Sequence, residues 1–112
     1  MENLPSGLCD KPNEVEDLLS RLTTAEFLLD IGHANVSGTL DELIGLHPRF
    51  FHFHDNGGED DSHGTLGEGT INLARLLKKL KGYDSSKTII FELYSIEDVL
   101  SSLQYFKSSL EI

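Results

Sequence analysis

With only one cysteine, Cys9, the chain cannot form an internal disulfide. That excludes a disulfide-stapled scaffold and fits a reducing, cytoplasmic setting. No apolar run approaches the ~18 residues of a membrane-spanning helix, and no basic stretch precedes an apolar one as in a secretory leader. Neither a membrane protein nor a secreted precursor is expected. Basic residues are also scarce, with 9 Lys+Arg against 19 Asp+Glu and a net charge of −10. The deficit is local: residues 1–61 hold 13 acids against Lys11, Arg21 and Arg49, whereas residues 62–112 are balanced at six and six. The first part would repel a polyanion such as DNA and attract a cation. Most of these carboxylates read as a solubilising surface.

The 112 residues are 38% apolar, with 10 glycines besides, the composition of one ordinary globular domain spanning 1–112. Asn13 followed by Glu16 suggests an N-cap for a helix with Val15, Leu18, Leu19 and Leu22 on one face. A short apolar run from Glu26 to Asp30 reads as a strand, followed by a glycine-containing loop. Thr39 with Glu42 repeats the capping signal ahead of Leu40, Leu43 and Ile44, and Pro48 stops that helix at His47. In the strand Arg49 to His54, Phe51 and Phe53 alternate with His52 and His54, so the two histidines share a face.

A long loop runs from Asp55 to about Gly69. Leu73, Leu76, Leu77 and Leu80 mark a helix ended by Gly82, and Thr88 to Glu92 is rich in strand-forming residues. Ser95 caps a last helix with the stripe Val99, Leu100, Leu103 and Phe106. Met1 to Leu4 looks like the stump of a further strand. The alternation predicts an α/β fold of parallel strands with right-handed crossovers. Four βα units of about 28 residues would be half of a (β/α)₈ barrel of ~250 residues. A small flavodoxin-like open sheet is the alternative.

Every strand ends in a potential cation ligand: Glu2, Asp30, His52 with His54, and Glu92. In parallel βα folds these ends converge on one mouth, where the chemistry sits. Singly, each would read as a helix cap or a satisfied strand histidine; four in a row point to a metal or acid–base site. His33 follows Asp30 by three residues, and Asp61 with His63 forms a second acid/imidazole pair in the long loop. A structureless loop of that length is uncommon away from a functional site. Gly67, Glu68 and Gly69 read as a turn or a close backbone approach, and no phosphate-cradling glycine motif is present.

In order along the chain, Glu2 and Asn3, "LLDIGH" (Leu28–His33), "HFHDN" (His52–Asn56), "DSHGTLGEG" (Asp61–Gly69) and "IIFEL" (Ile89–Leu93) resemble the xylose isomerase-like TIM barrels. That group includes sugar and sugar-phosphate isomerases and epimerases and the endonuclease IV type of nuclease. The resemblance covers the C-terminal half of such a barrel, strands five to eight. It implies metal ligation by Glu2, Asp30, His52 and Glu92, with Glu2 and Glu92 also acting as acid and base. It implies substrate contacts from His33, Asp61 and His63, which in the nuclease branch bind further metal. His54 is expected one pleat further out, with a smaller role. Glu2, at a fraying terminus, is expected to be a poorly held ligand. The donor set suits Mn²⁺ or Mg²⁺, with Zn²⁺ or Co²⁺ as alternatives.

The leading expectation is a metal-dependent sugar or sugar-phosphate isomerase/epimerase, or a piece of one, transferring a proton next to a carbonyl. The alternatives are endonuclease IV-like cleavage at abasic DNA, which the acidic charge disfavours, and a non-catalytic half-barrel fragment. Open parallel edges predict a homodimer or a complementary half-barrel as partner, besides a small sugar substrate.

Overall fold

The computed structural model describes residues 1–110. Helix and strand alternate: α1 Pro12–Arg21, β1 Leu28–Asp30, α2 Ile31–Ser37, α3 Leu40–Ile44, β2 Phe50–Phe53, α4 Leu73–Leu80, β3 Thr88–Phe91 and α5 Ile96–Leu110. The sheet order is β1-β2-β3 and both pairings are parallel. Asp30 lies opposite His52, and His52 opposite Ile90, so the strand ends are level. The N-terminal segment supplies the fourth position through a parallel bridge between Glu2 and Leu28.

One sheet face is packed beneath helices. Leu29, Phe51 and Phe53 are buried there against Val15, Leu43, Leu73, Leu76 and Leu77. The opposite face is open, and Ile90 on it is 51% exposed. Sequential strand order with helices on one side is the geometry of a barrel wall. A doubly wound sheet would reverse its order and cover both faces, so the flavodoxin-like alternative does not hold.

Several local expectations are corrected. The first helix starts at Pro12, whose fixed φ suits the first helical position, and Lys11 rather than Asn13 precedes it. The Thr39 hydroxyl makes no cap; it bonds the Asp10 carbonyl and the Ser37 hydroxyl instead. The expected loop after Asp30 is helix α2, because the Asp30 carboxylate accepts the His33 N–H and caps it. On α5, Ser95 does cap, accepting from the Asp98 N–H. Leu100 is 60% exposed, however, while Ser102 is fully buried and accepts the Leu66 N–H.

Candidate metal centre

The N-terminal segment is tied down rather than frayed. The Met1 ammonium donates to the Glu26 carbonyl, and the Leu28 N–H donates to the Met1 carbonyl, both at 2.7 Å. Asn3 is buried, and its carboxamide bonds both backbone groups of Asp30: it donates to the carbonyl at 3.1 Å and accepts from the N–H at 2.8 Å. An amide side chain thus continues the ladder where a strand backbone would stand. This fixes Glu2 beside Asp30, against the expectation of a poorly held terminal ligand.

Glu2, Asp30, His52 and Glu92 meet with one ligand atom from each lying within 4.8 Å of all the others. His52 is central. Its Nδ1 is 2.6 Å from Glu92 Oε2, 3.2 Å from Glu2 Oε1 and 3.7 Å from Asp30 Oδ2. Beyond Asp30 lies a second group of the same compactness, made by His33, His54, Asp61 and His63. Asp61 Oδ2 is 3.0 Å from His33 Nε2 and 3.3 Å from His63 Nε2. The structure therefore gathers all seven residues singled out from the sequence into two adjoining clusters.

His54, which the sequence also put at a strand end, joins the second cluster. The residue is fully buried, stacked at 4.0 Å on the His63 ring, with Nε2 only 2.7 Å from Asp30 Oδ1. It lies one pleat beyond His52, outside the first cluster and within the second. Gly32 makes room, since a Cβ there would stand 2.0 Å from His54 Cε1. The alternation in Arg49 to His54 carried that signal.

These groups fit a cation for three reasons. First, Asp30 Oδ2, Glu92 Oε2, Asp61 Oδ1 and both His54 ring nitrogens are buried without an aligned hydrogen bond. A native interior rarely leaves so many polar atoms unsatisfied in one place. Second, His33 Nδ1 lies 2.8 Å from the Asn3 carbonyl and His63 Nδ1 3.1 Å from the Glu92 carbonyl. A carbonyl only accepts, so each Nδ1 carries a hydrogen, and each Nε2 is the atom turned toward Asp61 Oδ2, where it would ligate a bound ion once deprotonated. Metal-binding histidines are commonly oriented this way. Third, three carboxylates crowd His52, and a divalent ion would offset their repulsion.

The titration behaviour is consistent with an anionic pocket. Burial, with the Asp30 carboxylate beside it, raises Glu2 above the ordinary range despite His52 and His33. Burial works to raise Asp30 as well, but its contacts with His54 and the His33 N–H hold it below its usual value. Burial works to lower His33, yet the Asn3 carbonyl and the Asp30, Asp61 and Glu2 carboxylates raise it on balance. The first cluster offers mainly carboxylate oxygens and the second three imidazoles, donors that could each hold a metal ion.

The pattern of the xylose isomerase-like TIM barrels matches residues 1–110, and the chain belongs to that family. It is 43% identical to the uncharacterized protein MJ1311 of Methanocaldococcus jannaschii, over 74% of this chain and 30% of that protein. With MJ1614 of the same organism, also uncharacterized, the identity is 30% over 88% of this chain and 41% of that protein. The crystal structure of a D-tagatose 3-epimerase-like protein matches at 33% identity and a TM-score of 0.86, over 98% of this chain and 45% of the other. The chain spans less than half the length of these relatives and forms part of a barrel. Among the described residues, no helix is long and apolar enough to cross a membrane.

Proposed function

We propose that the chain carries the metal-binding and acid–base residues of a metal-dependent sugar or sugar-phosphate isomerase/epimerase. The observation that supports this most is the convergence of Glu2, Asp30, His52 and Glu92 at the ends of four neighbouring strand positions. These four residues would hold a divalent ion, Mn²⁺ or Mg²⁺ by donor type. When bound, such an ion supplies Lewis acidity next to a carbonyl. Glu2 and Glu92 both reach His52 Nδ1, at 3.2 and 2.6 Å. One carboxylate removes the proton from the carbon beside the carbonyl and the other returns one, which inverts or relocates the centre. Asp30, held by Asn3, and His52 keep the ligand set in place. His33, Asp61 and His63 line the mouth and orient substrate oxygens. A second copy or a complementary half-barrel would close the open face, and the single cysteine favours a cytoplasmic setting.

The second cluster supports another reading, phosphodiester cleavage at abasic DNA by a site with further ions. His33, His54, Asp61 and His63 offer the ligands, whereas the charge of −10 opposes binding of a polyanion. To test the leading reading, the Mn²⁺-loaded chain is incubated with a ketose in D₂O, alone and paired with an N-terminal half-barrel. NMR reads deuterium at the carbon beside the carbonyl. Incorporation that disappears in Glu92→Gln supports the proposal. No incorporation in either form, with cleavage of abasic DNA instead, overturns it.

A further inference from the structure

The loop from Asp55 to Gly69 has no helix or strand, yet it carries Asp61 and His63 into the mouth. Something must fix its shape, and the structure supplies one residue for the purpose. Asp55 is 1% exposed, and its carboxylate accepts four backbone N–H groups. Oδ1 takes those of Asn56 at 2.8 Å and Ile71 at 3.2 Å, and Oδ2 those of Gly67 and Gly69 at 3.1 Å each. Charge-assisted bonds of this type are stronger than neutral ones. Asp55 is also joined to Gly64 by a pair of backbone bonds, 2.9 Å from its N–H and 2.7 Å to its carbonyl. One residue therefore gathers the loop at its start, its middle and its end.

The middle attachment falls one residue after His63. His63 has a left-handed φ of +50°, a conformation uncommon for residues other than glycine. Gly64 is pinned to Asp55 on one side, and the His63 ring is held by the Glu92 carbonyl and the His54 stack on the other. Gly69 completes the fit by closeness. A Cβ there would lie 2.3 Å from Asp55 Oδ1 and 2.2 Å from the Asn56 carbonyl oxygen.

From this geometry we infer that Asp55 is a positioning residue for the mouth: its buried carboxylate cinches the loop and so sets Asp61 and His63 against His33 and His54. This rests on the reading that these loop residues serve the site. Asp55 itself belongs to neither ligand cluster. Asp55→Asn keeps the shape but turns an NH₂ toward two of the four N–H donors, breaking one pair of bonds.

The test uses the whole chain, metal-free and then with Zn²⁺ or Mn²⁺ as probes. In the wild type, the amides of Gly67, Gly69 and Ile71 should exchange slowly although they belong to no helix or sheet ladder. Asp55→Asn should speed their exchange at least about 100-fold and remove the proton contact between the His54 and His63 rings. It should weaken Zn²⁺ binding about 10-fold or more and leave Mn²⁺ binding within about threefold. Gly69→Ala, which crowds the same carboxylate from the loop side, should act likewise if Asp55→Asn does not fold. Fast exchange at the three amides in the wild type would overturn the inference. So would an unchanged His54–His63 contact and unchanged Zn²⁺ affinity in the variants. If the wild type takes no Zn²⁺ at His33, His54, Asp61 and His63, the second-ion reading fails, while amide exchange and ring contact still decide the role of Asp55.

Discussion

His54 Nε2 stands 2.7 Å from Asp30 Oδ1, and neither His54 nitrogen has an aligned hydrogen bond. Asp30 thus faces both clusters, with His54 on its Oδ1 side and His52 3.7 Å from its Oδ2. The two histidines of one strand face should therefore differ in their hold on the first cluster's ion. His52→Ala should weaken Mn²⁺ binding about 10-fold or more, whereas His54→Ala should leave it within about threefold. Isothermal titration of each variant checks the difference, and equal loss in both would contradict a site built on His52.

Gly32→Ala probes the packing beneath His54. The added Cβ would fall 2.0 Å from the imidazole, so ring or helix must move. Overpacking of this kind costs about 1–3 kcal/mol. Urea unfolding of the metal-free chain should show that loss, together with a displaced His54 resonance. Wild-type stability would mean that the ring is not held where the structure puts it.

Asp41 offers a pH test away from the site. It bridges α3 to α4 through Lys79 at 2.8 Å and Arg75 at 3.1 Å. Chiefly the Lys79 hydrogen bond, aided by both positive charges, lowers its pKa below the ordinary 3.8. A lowered folded-state value means stability fully present above about 3.8 and lost as the pH falls through the folded value. Because the pair is exposed and screened, its worth is only about 0.2–1 kcal/mol. Asp41→Asn should be less stable than wild type by that amount at pH 6. The difference should close as the pH falls through the lowered folded-state value and shrink in high salt. A gap that persists at low pH would remove the ion pair as its cause.

The open face makes an assembly prediction. Ile90, Tyr94, Ile96 and Leu100 are 51–79% exposed, an apolar band at the free edge of β3 and along α5. Sedimentation at micromolar concentration should show a dimer, and Ile90→Glu should shift it toward monomer. A monomer with sharp, cooperative unfolding would contradict closure by a second copy.

Much of this was legible in the sequence because period and position carry physical meaning. Alternation in residues 49–54 set Phe51 and Phe53 into the core, and acids or imidazoles at strand ends marked the mouth. Less legible were interactions that cross the chain. Asn3 completes a ladder with Asp30, 27 residues away, and no local pattern announces it. Asp30 reads equally as a strand end and as a helix cap, and it is both, so α2 was hidden behind Ile31 and Gly32. Asp55 belongs to "HFHDN", but its role depends on amides 12 to 16 residues later.

The central claim is that Glu2, Asp30, His52 and Glu92 form one divalent-ion site, and Mn²⁺ titration followed by electron paramagnetic resonance tests it most directly. The free Mn²⁺ signal should stay suppressed until one equivalent is bound by the first cluster. In Asp30→Ala and His52→Ala, binding should weaken about 10-fold or more while the circular dichroism spectrum stays that of the folded chain. Unchanged Mn²⁺ affinity in both folded variants would contradict the account.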